Sequence, residues 1–440
     1  IIVQLFLVIK TSYYYFIMSK SSFQNCFSFI LILIFSCSIG YAQKGDVTVQ
    51  FDTAANYFTE SLPIGNGRLG ALVFGRTNTE RIALNEISLW SGDPQDADND
   101  SAFHYLKPIQ ELLLAGKNKE AQELLQKHFV AKGAGSGFGH GANVKYGSYQ
   151  TFGDLFIRWK DTSAKPASYQ RELNLETTVA KTSFIRKGNH FVQEVFADFV
   201  NDILWVKLKS QKHHSINVSI SLSRNENAHV FINENRIVLK GQLPSGKDMG
   251  MQFAAIAEPQ VTGGNIRQGE NCLVIENANE LVIKISMATN YNFKEGGLTK
   301  EDVASVATGY LTRSGNISFD KAQKASTMAY QKFFERCRLT LPENKVVNSL
   351  TTNQRLIRYA KGGSDPQLSA LYFNFGRYLL ISASRPGLLP ANLQGLWATE
   401  YQAPWNGDYH LNINVQMNYW PAEVTNLGML AQPLFQFINH

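Results

Sequence analysis

The stretch "HLNINVQMNYWPAE", His410 to Glu423, carries a polar residue at every second position from His410 to Asn418, and four of those five (Asn412, Asn414, Gln416, Asn418) are uncharged carboxamides. Period-two alternation predicts an extended segment, with Leu411, Ile413, Val415 and Met417 against an apolar layer and the amides facing the other way. Solvent alone would not select such a face. Asparagine is depleted in strands because its side chain competes for backbone hydrogen bonds. A carboxamide brings two donors and an acceptor with two lone pairs, and sugar hydroxyls or a held water would satisfy them. The competing reading has the amides stitching neighbouring loops together, and spacing does not separate the two.

Working outward, Ser364-Asp365-Pro366 opens a long predicted helix with proline at its first position, and Leu368, Leu371, Tyr372, Phe375, Tyr378 and Leu379 form its apolar face. Further upstream, Thr299-Lys300-Glu301-Asp302 has capping-box spacing ahead of one helix, and Ala322 to Arg338 reads as another. Between about Val47 and Asn290 the period falls to two. Ile216 to Leu222 and Leu281 to Met287 alternate, and His229–Ile232, Asn233-Glu234-Asn235 and Arg236–Leu239 read as a hairpin. A helical insertion at Pro108–Phe129 interrupts the strands. The fold class expected is multidomain, β then α: an N-terminal β-sandwich over 43–290, a helical linker over 291–350, and the start of a helical domain over 351–440 with no room left to close.

With 440 residues, 44% of them hydrophobic, the chain can bury sizeable cores. The 42 basic and 36 acidic residues are dispersed, which argues for no nucleic-acid partner. The first methionine is Met18, and Lys20, the apolar run Phe27–Ile39 and Gly40-Tyr41-Ala42 then read as a secretory signal. Residues 1–42 thus divide into upstream residues and that signal, and the mature protein is expected to be secreted or periplasmic. The apolar run is too short for a membrane span. Ile34-Phe35-Ser36-Cys37 is a loose lipobox, so an outer-surface lipoprotein anchored through Cys37 competes with cleavage after Ala42. Cys26 and Cys37 lie in the signal; Cys272 and Cys337 remain, and sequence does not pair them. The nine histidines form no HxxxH pattern and there is no CxxC, so no metal or other cofactor is expected.

Three further stretches bear on function. Leu62 to Ala71, "LPIGNGRLGA", holds a Gly-x-Gly, but the residues after it are strand-like, without the helix terminus that a phosphate would need, so a tight turn between strands is the reading. Leu84 to Gly92 and Tyr149 to Leu155 place Trp90, Tyr149, Asn85 and Gln150 near predicted loops, suited either to a sugar ring or to core packing.

Together "LPIGNGRLGALVFG", "LNEISLWSG", "YQTFGDL", "GRYLLISASRPGLLPANLQGLWA" and "YHLNINVQMNYWPAEVTNL" closely resemble glycoside hydrolase family 95, the inverting α-L-fucosidases, from about Val47 to the last residue. Two departures are Thr151, where the family often has proline, and Ala398-Thr399-Glu400 in place of a more usual Asn-containing run. The resemblance implies a β-sandwich, a helical linker and an (α/α)6 catalytic barrel, of which this chain carries a truncated first part. It implies exo-cleavage of terminal, (1→2)-linked α-L-fucose from a fucosylated oligosaccharide or glycan. It also implies catalytic roles for Asn412 and Asn414 in positioning the water, and substrate binding by His410, Trp397 and Trp420. The family's general acid and its partner carboxylate are expected beyond residue 440, and Asp365, Glu400, Asp408 and Glu423 match neither role. An α-L-galactosidase of the same family, and a non-catalytic glycan-binding protein or inactive fragment, are the alternatives.

Overall fold

The computed structural model describes residues 47–93, 96, 98–129, 147–245 and 249–439; the signal and lipobox readings fall outside these. Two antiparallel sheets face one another. The larger runs in the order Thr48–Phe51, Ser168–Asn174, Val179–Arg186, Asn189–Ala197, Leu204–Ser210, Glu280–Thr289, Met249–Thr262, Arg236–Pro244, Ala228–Asn233. The smaller runs Asn265–Gln268, Leu273–Ala278, Ile216–Ser223, Gly153–Trp159, Thr79–Glu86, Leu69–Val73, Leu62–Gly65. Alternation sets what each strand buries: in Ile216–Ser223 the residues Ile216, Val218 and Ile220 are buried, and Asn217 and Ser219 lie between them half-exposed. The inner faces meet through side chains such as Ile157 and Val218 from one sheet and Val195 and Ile283 from the other. Trp159 packs edge-on against Phe191 across the gap, ring centroids 4.6 Å apart. The hairpin expected near Asn233 is present, with Asn233 opposite Arg236.

The insertion is two helices, α1 (Leu106–Leu114) and α2 (Asn118–His128), separated at Gly116, whose φ of 73° suits glycine. After the last strand come α3 (Val303–Ser314) and α4 (Phe319–Phe334). The cap of α3 is Asp302, whose carboxylate accepts from Ser305 N. The expected capping box beginning at Thr299 does not form, because Thr299 N is taken by Asn290 O in a strand-like pairing. These two helices cover the outer face of the larger sheet, where Phe196, Trp205, Val238 and Ile256 pack against Ala307, Leu311, Phe319 and Ala322. The carbonyls at the end of α4 are collected by Arg377, which donates to Phe334 O at 2.7 Å, Cys337 O at 2.5 Å and Phe333 O at 3.0 Å. Cys272 and Cys337 are free.

Next are α5 (Thr352–Ala360) and α6 (Pro366–Ala383). Asp365 caps α6 through Leu368 N and pairs with Arg355 of α5 at 2.9 Å, both side chains buried. Burial works to raise the Asp365 carboxyl, but the Arg355 guanidinium and the cap hold it below the usual carboxylate range. Of the expected apolar face, Leu368, Leu371 and Tyr378 are buried and Tyr372 is 79% exposed. The Gly-x-Gly turn joins Leu62–Gly65 to Leu69–Val73, and its fit explains its composition: Gly67 has φ 86°, donates to Ser382 O, and a Cβ there would stand 2.5 Å from Arg385 Cβ. The turn is where the sandwich meets the end of α6.

Glu80 gives one pH prediction. Its buried carboxylate accepts from Gly75 N at 2.9 Å and Phe74 N at 3.2 Å, yet burial pushes it up to about 8. A carboxyl held above its unfolded value stabilises fully below that value and loses the contribution as pH rises through the folded one. Glu80→Gln, which keeps the acceptor, should therefore gain stability relative to wild type between about pH 5 and about pH 9. Urea midpoints of both proteins at the two pH values check this; a constant difference refutes it.

Candidate active-site cleft

The segment expected to be extended is a turn and a helix. Leu411–Ile413 form the turn and α7 (Asn414–Val424) comes after it, with Val415 N donating to His410 O and Met417 N to Ile413 O. The reason is tertiary. The buried residues are Val415, Tyr419 and Ala422, at helical spacing, whereas Leu411, Ile413 and Met417, the supposed inner face, are exposed. Tyr419 fixes the register, its hydroxyl meeting Ser384 Oγ at 2.9 Å and accepting from Ala391 N at 2.8 Å. Helix α8 (Gln432–Asn439) closes the described chain.

This backbone divides the amides. Asn418 Nδ2 donates to Asn392 O at 2.9 Å and Gln416 Nε2 to Leu411 O at 2.7 Å, so these two stitch backbone. Asn412 is exposed in the turn. Asn414, at the start of α7, lines a cleft of about 380 Å³ with His410, Gln394, Leu393, Pro404 and Trp405. His410 Nδ1 lies beside Asp408 Oδ1. Among the described residues lining this cleft there is no carboxylate.

The two tryptophans expected to bind substrate do not line this cleft. Trp397 is 5% exposed, donates from Nε1 to Ile64 O at 2.8 Å, and lines an adjoining, mainly apolar pocket with Phe375, Leu379 and Pro421 that shares Leu393 and Gln394 with the cleft. Trp420 is 61% exposed on α7 and lines neither pocket. Leu393, Gln394, Pro404 and Trp405 also line the cleft, and the sequence reading gave none of them a role. Pro404-Trp405-Asn406-Gly407 is a turn signature that could have drawn attention to Trp405.

Sandwich loops hold the cleft's backbone. Asn85 is fully buried and grips Ala398 twice, its Nδ2 donating to the carbonyl at 3.0 Å and its Oδ1 accepting from the amide at 3.2 Å. Tyr149 donates its hydroxyl to Leu396 O at 2.8 Å and its amide to Asn406 O at 2.8 Å. Thr151 N donates to Glu400 O at 2.9 Å, so the residue standing in for the family's proline supplies a donor that proline lacks. Trp90 stacks on Tyr409, next to His410, with centroids 5.4 Å apart and planes at 25°. Burial drives the Tyr149 and Tyr409 hydroxyls well above their ordinary range, so both stay neutral donors. Arg224, reaching Gln150 Oε1 at 2.5 Å, is drawn down by burial to about 10 and stays charged at neutral pH.

The cleft gathers the amides of Gln394 and Asn414 and the imidazole of His410 around a small space, groups able to hydrogen-bond a polyol or a water. Residues 49–294 match the model described as glycosyl hydrolase family 65, N-terminal domain, and residues 318–440 match the glycosyl hydrolase family 95 catalytic domain. "Alpha-L-fucosidase 2" of Arabidopsis thaliana is 32% identical over 88% of this chain and 48% of its own length. "Probable alpha-fucosidase A" of Aspergillus niger is 30% identical over 91% of this chain and 51% of its own. The chain thus spans about half the length of the curated relatives it matches.

Proposed function

Since the chain belongs to glycoside hydrolase family 95, with a family 65-type N-terminal domain ahead of its family 95 catalytic segment, we propose that the protein removes terminal (1→2)-linked α-L-fucose from glycans with inversion at the anomeric carbon. The domain plan that goes with this is a sandwich over 43–290, a linker over 291–350 and an (α/α)6 barrel beginning near 351. The observation that carries the reading is that Asn414 and His410 line one small cleft. In an inverting reaction one carboxylic acid protonates the leaving oxygen while a base takes a proton from water attacking the opposite face. An amide cannot be that base near neutral pH. Its carbonyl oxygen can hold the water in a near-attack position while a carboxylate supplied from elsewhere takes the proton. His410, on the wall of the same cleft, is suited to a sugar hydroxyl. Asn412, one turn residue before the helix, is the second proposed holder of the water.

The test is product stereochemistry. The protein expressed from its complete reading frame is incubated with 2′-fucosyllactose and followed by proton NMR from the first minutes. The expected first product is β-L-fucose, which then mutarotates. First appearance of the α anomer refutes inversion, and no release of fucose beside turnover of an α-L-galactoside moves the assignment to the galactosidase. Turnover of neither leaves glycan binding as the function. Export is part of the proposal, checked by finding the mature amino terminus at Gln43 outside the cytoplasm.

A further inference from the structure

We infer that Trp405 is an aromatic platform for the sugar on the leaving-group side of the scissile bond, an assignment that rests on the fucosidase reading above. Three consecutive residues, Trp405, Asn406 and Gly407, have left-handed backbone, with φ of 49°, 59° and 62°. Glycine takes that conformation freely and asparagine tolerates it, but a bulky aromatic rarely adopts it unless its surroundings impose it. Here they do. Asn406 N donates to Ala403 O at 2.8 Å, and Asn406 O accepts from Tyr149 N at 2.8 Å and from Ser148 Oγ at 3.3 Å. Gly407 packs so closely that a Cβ would stand 3.0 Å from Tyr149 Cβ. The sandwich thus clamps both residues after Trp405.

The clamp does not bury the indole. Trp405 is 75% exposed, although a ring of that size ordinarily gains from being covered. It stands on the wall of the cleft that holds His410 and Asn414. The side chain of His410 is 31% exposed and Asn414 is half-buried, so the polar groups of the cleft are more covered than the indole beside them. An exo-acting enzyme takes the terminal sugar in first, and the next sugar then occupies the mouth. A pyranose presents an apolar face of C–H groups that an indole can cover without demanding hydroxyl partners, which suits a leaving sugar held loosely enough to depart.

Two substrates separate this role from others. 2′-Fucosyllactose carries a disaccharide leaving group, whereas α-L-fucosyl fluoride carries a single atom. In the protein from the complete reading frame, Trp405→Ala should lower kcat/KM about tenfold on the trisaccharide, the scale of one lost aromatic contact, and leave the fluoride within about twofold. Trp405→Phe should keep most of the trisaccharide rate. Trp405→Gly, which relaxes the left-handed backbone, should show the same substrate split without a lower melting temperature. Equal loss on both substrates, or on neither, overturns the platform. Titration of tryptophan emission with lactose reads the platform without turnover: wild type should respond and Trp405→Phe should lose the larger part of the response. An identical response in the two refutes the platform whatever the enzyme cleaves, whereas a Trp405-dependent response in a protein that turns over neither fucoside supports the platform and sinks the fucosidase reading alone.

Discussion

Asn414→Ala should lower kcat by about 10²–10³-fold, roughly 3–4 kcal/mol of transition-state stabilisation, with KM changed far less. Asn414 lies in the cleft with His410, and its proposed task, placing the attacking water, matters chiefly as the transition state forms. His410→Ala differs in kind: a contact to a ground-state hydroxyl helps substrate and transition state alike, so KM should rise as well. Asn412→Ala is the informative companion, because Asn412 is exposed in the turn rather than on the cleft wall. A kcat loss equal to that of Asn414→Ala would mean that the turn refolds around substrate to bring both amides to the water. If Asn414 merely tied loops together, its replacement would depress the melting temperature and leave the turnover of the folded enzyme near wild type. Steady-state kinetics and thermal melts on the three variants decide.

Arg68→Ala should cost about 3–5 kcal/mol of folding stability, the scale for removing one partner of a buried charge network. Arg68 lies 3.6 Å from the Glu86 carboxylate, both side chains buried, donates to Met287 O at 2.9 Å and Asp202 O at 2.8 Å, and covers the Tyr310 ring at 4.1 Å. Asp202 in turn pairs with Arg385 at 2.7 Å, so one cluster ties the Gly-x-Gly turn to the end of α6. Burial already holds the Glu86 carboxyl above its ordinary range, with Arg68 the main opposing influence. Without Arg68 it should rise further. Because a raised carboxyl loses its stabilisation as pH climbs through the folded value, the deficit should widen from about pH 5 to about pH 8. Adding Glu86→Gln should recover much of it. Urea unfolding of the single and double variants at both pH values checks the claim, and a deficit that does not change with pH, or no recovery in the double variant, counts against it.

The sequence by itself determined whatever depends on short-range pattern. Alternation of apolar residues marked strands such as Ile216–Ser223 because a half-buried sheet must alternate, and Asp365-Pro366 marked the start of α6 because cap and proline act within one turn. The Gly-x-Gly was legible as a turn for the same reason, and the motifs carried the family. The cleft was legible only in part. The polar spacing of His410–Asn418 fits a strand, yet the segment folds as a turn and helix because Tyr419 is fixed by Ser384 and Ala391, and Val415 and Ala422 have a core to enter. Those partners are distant enough in sequence that no local window contains them. Trp397 read as a sugar binder and lies in the interior, because Ile64, 333 residues away, offers its indole a carbonyl. Trp405 went unread because it stands exposed on the cleft wall at a turn whose next residue, Asn406, is bonded by Ser148 and Tyr149 from far away in the chain. Local chemistry chose the elements, and long-range hydrogen bonds and burial chose which side chains face the cleft.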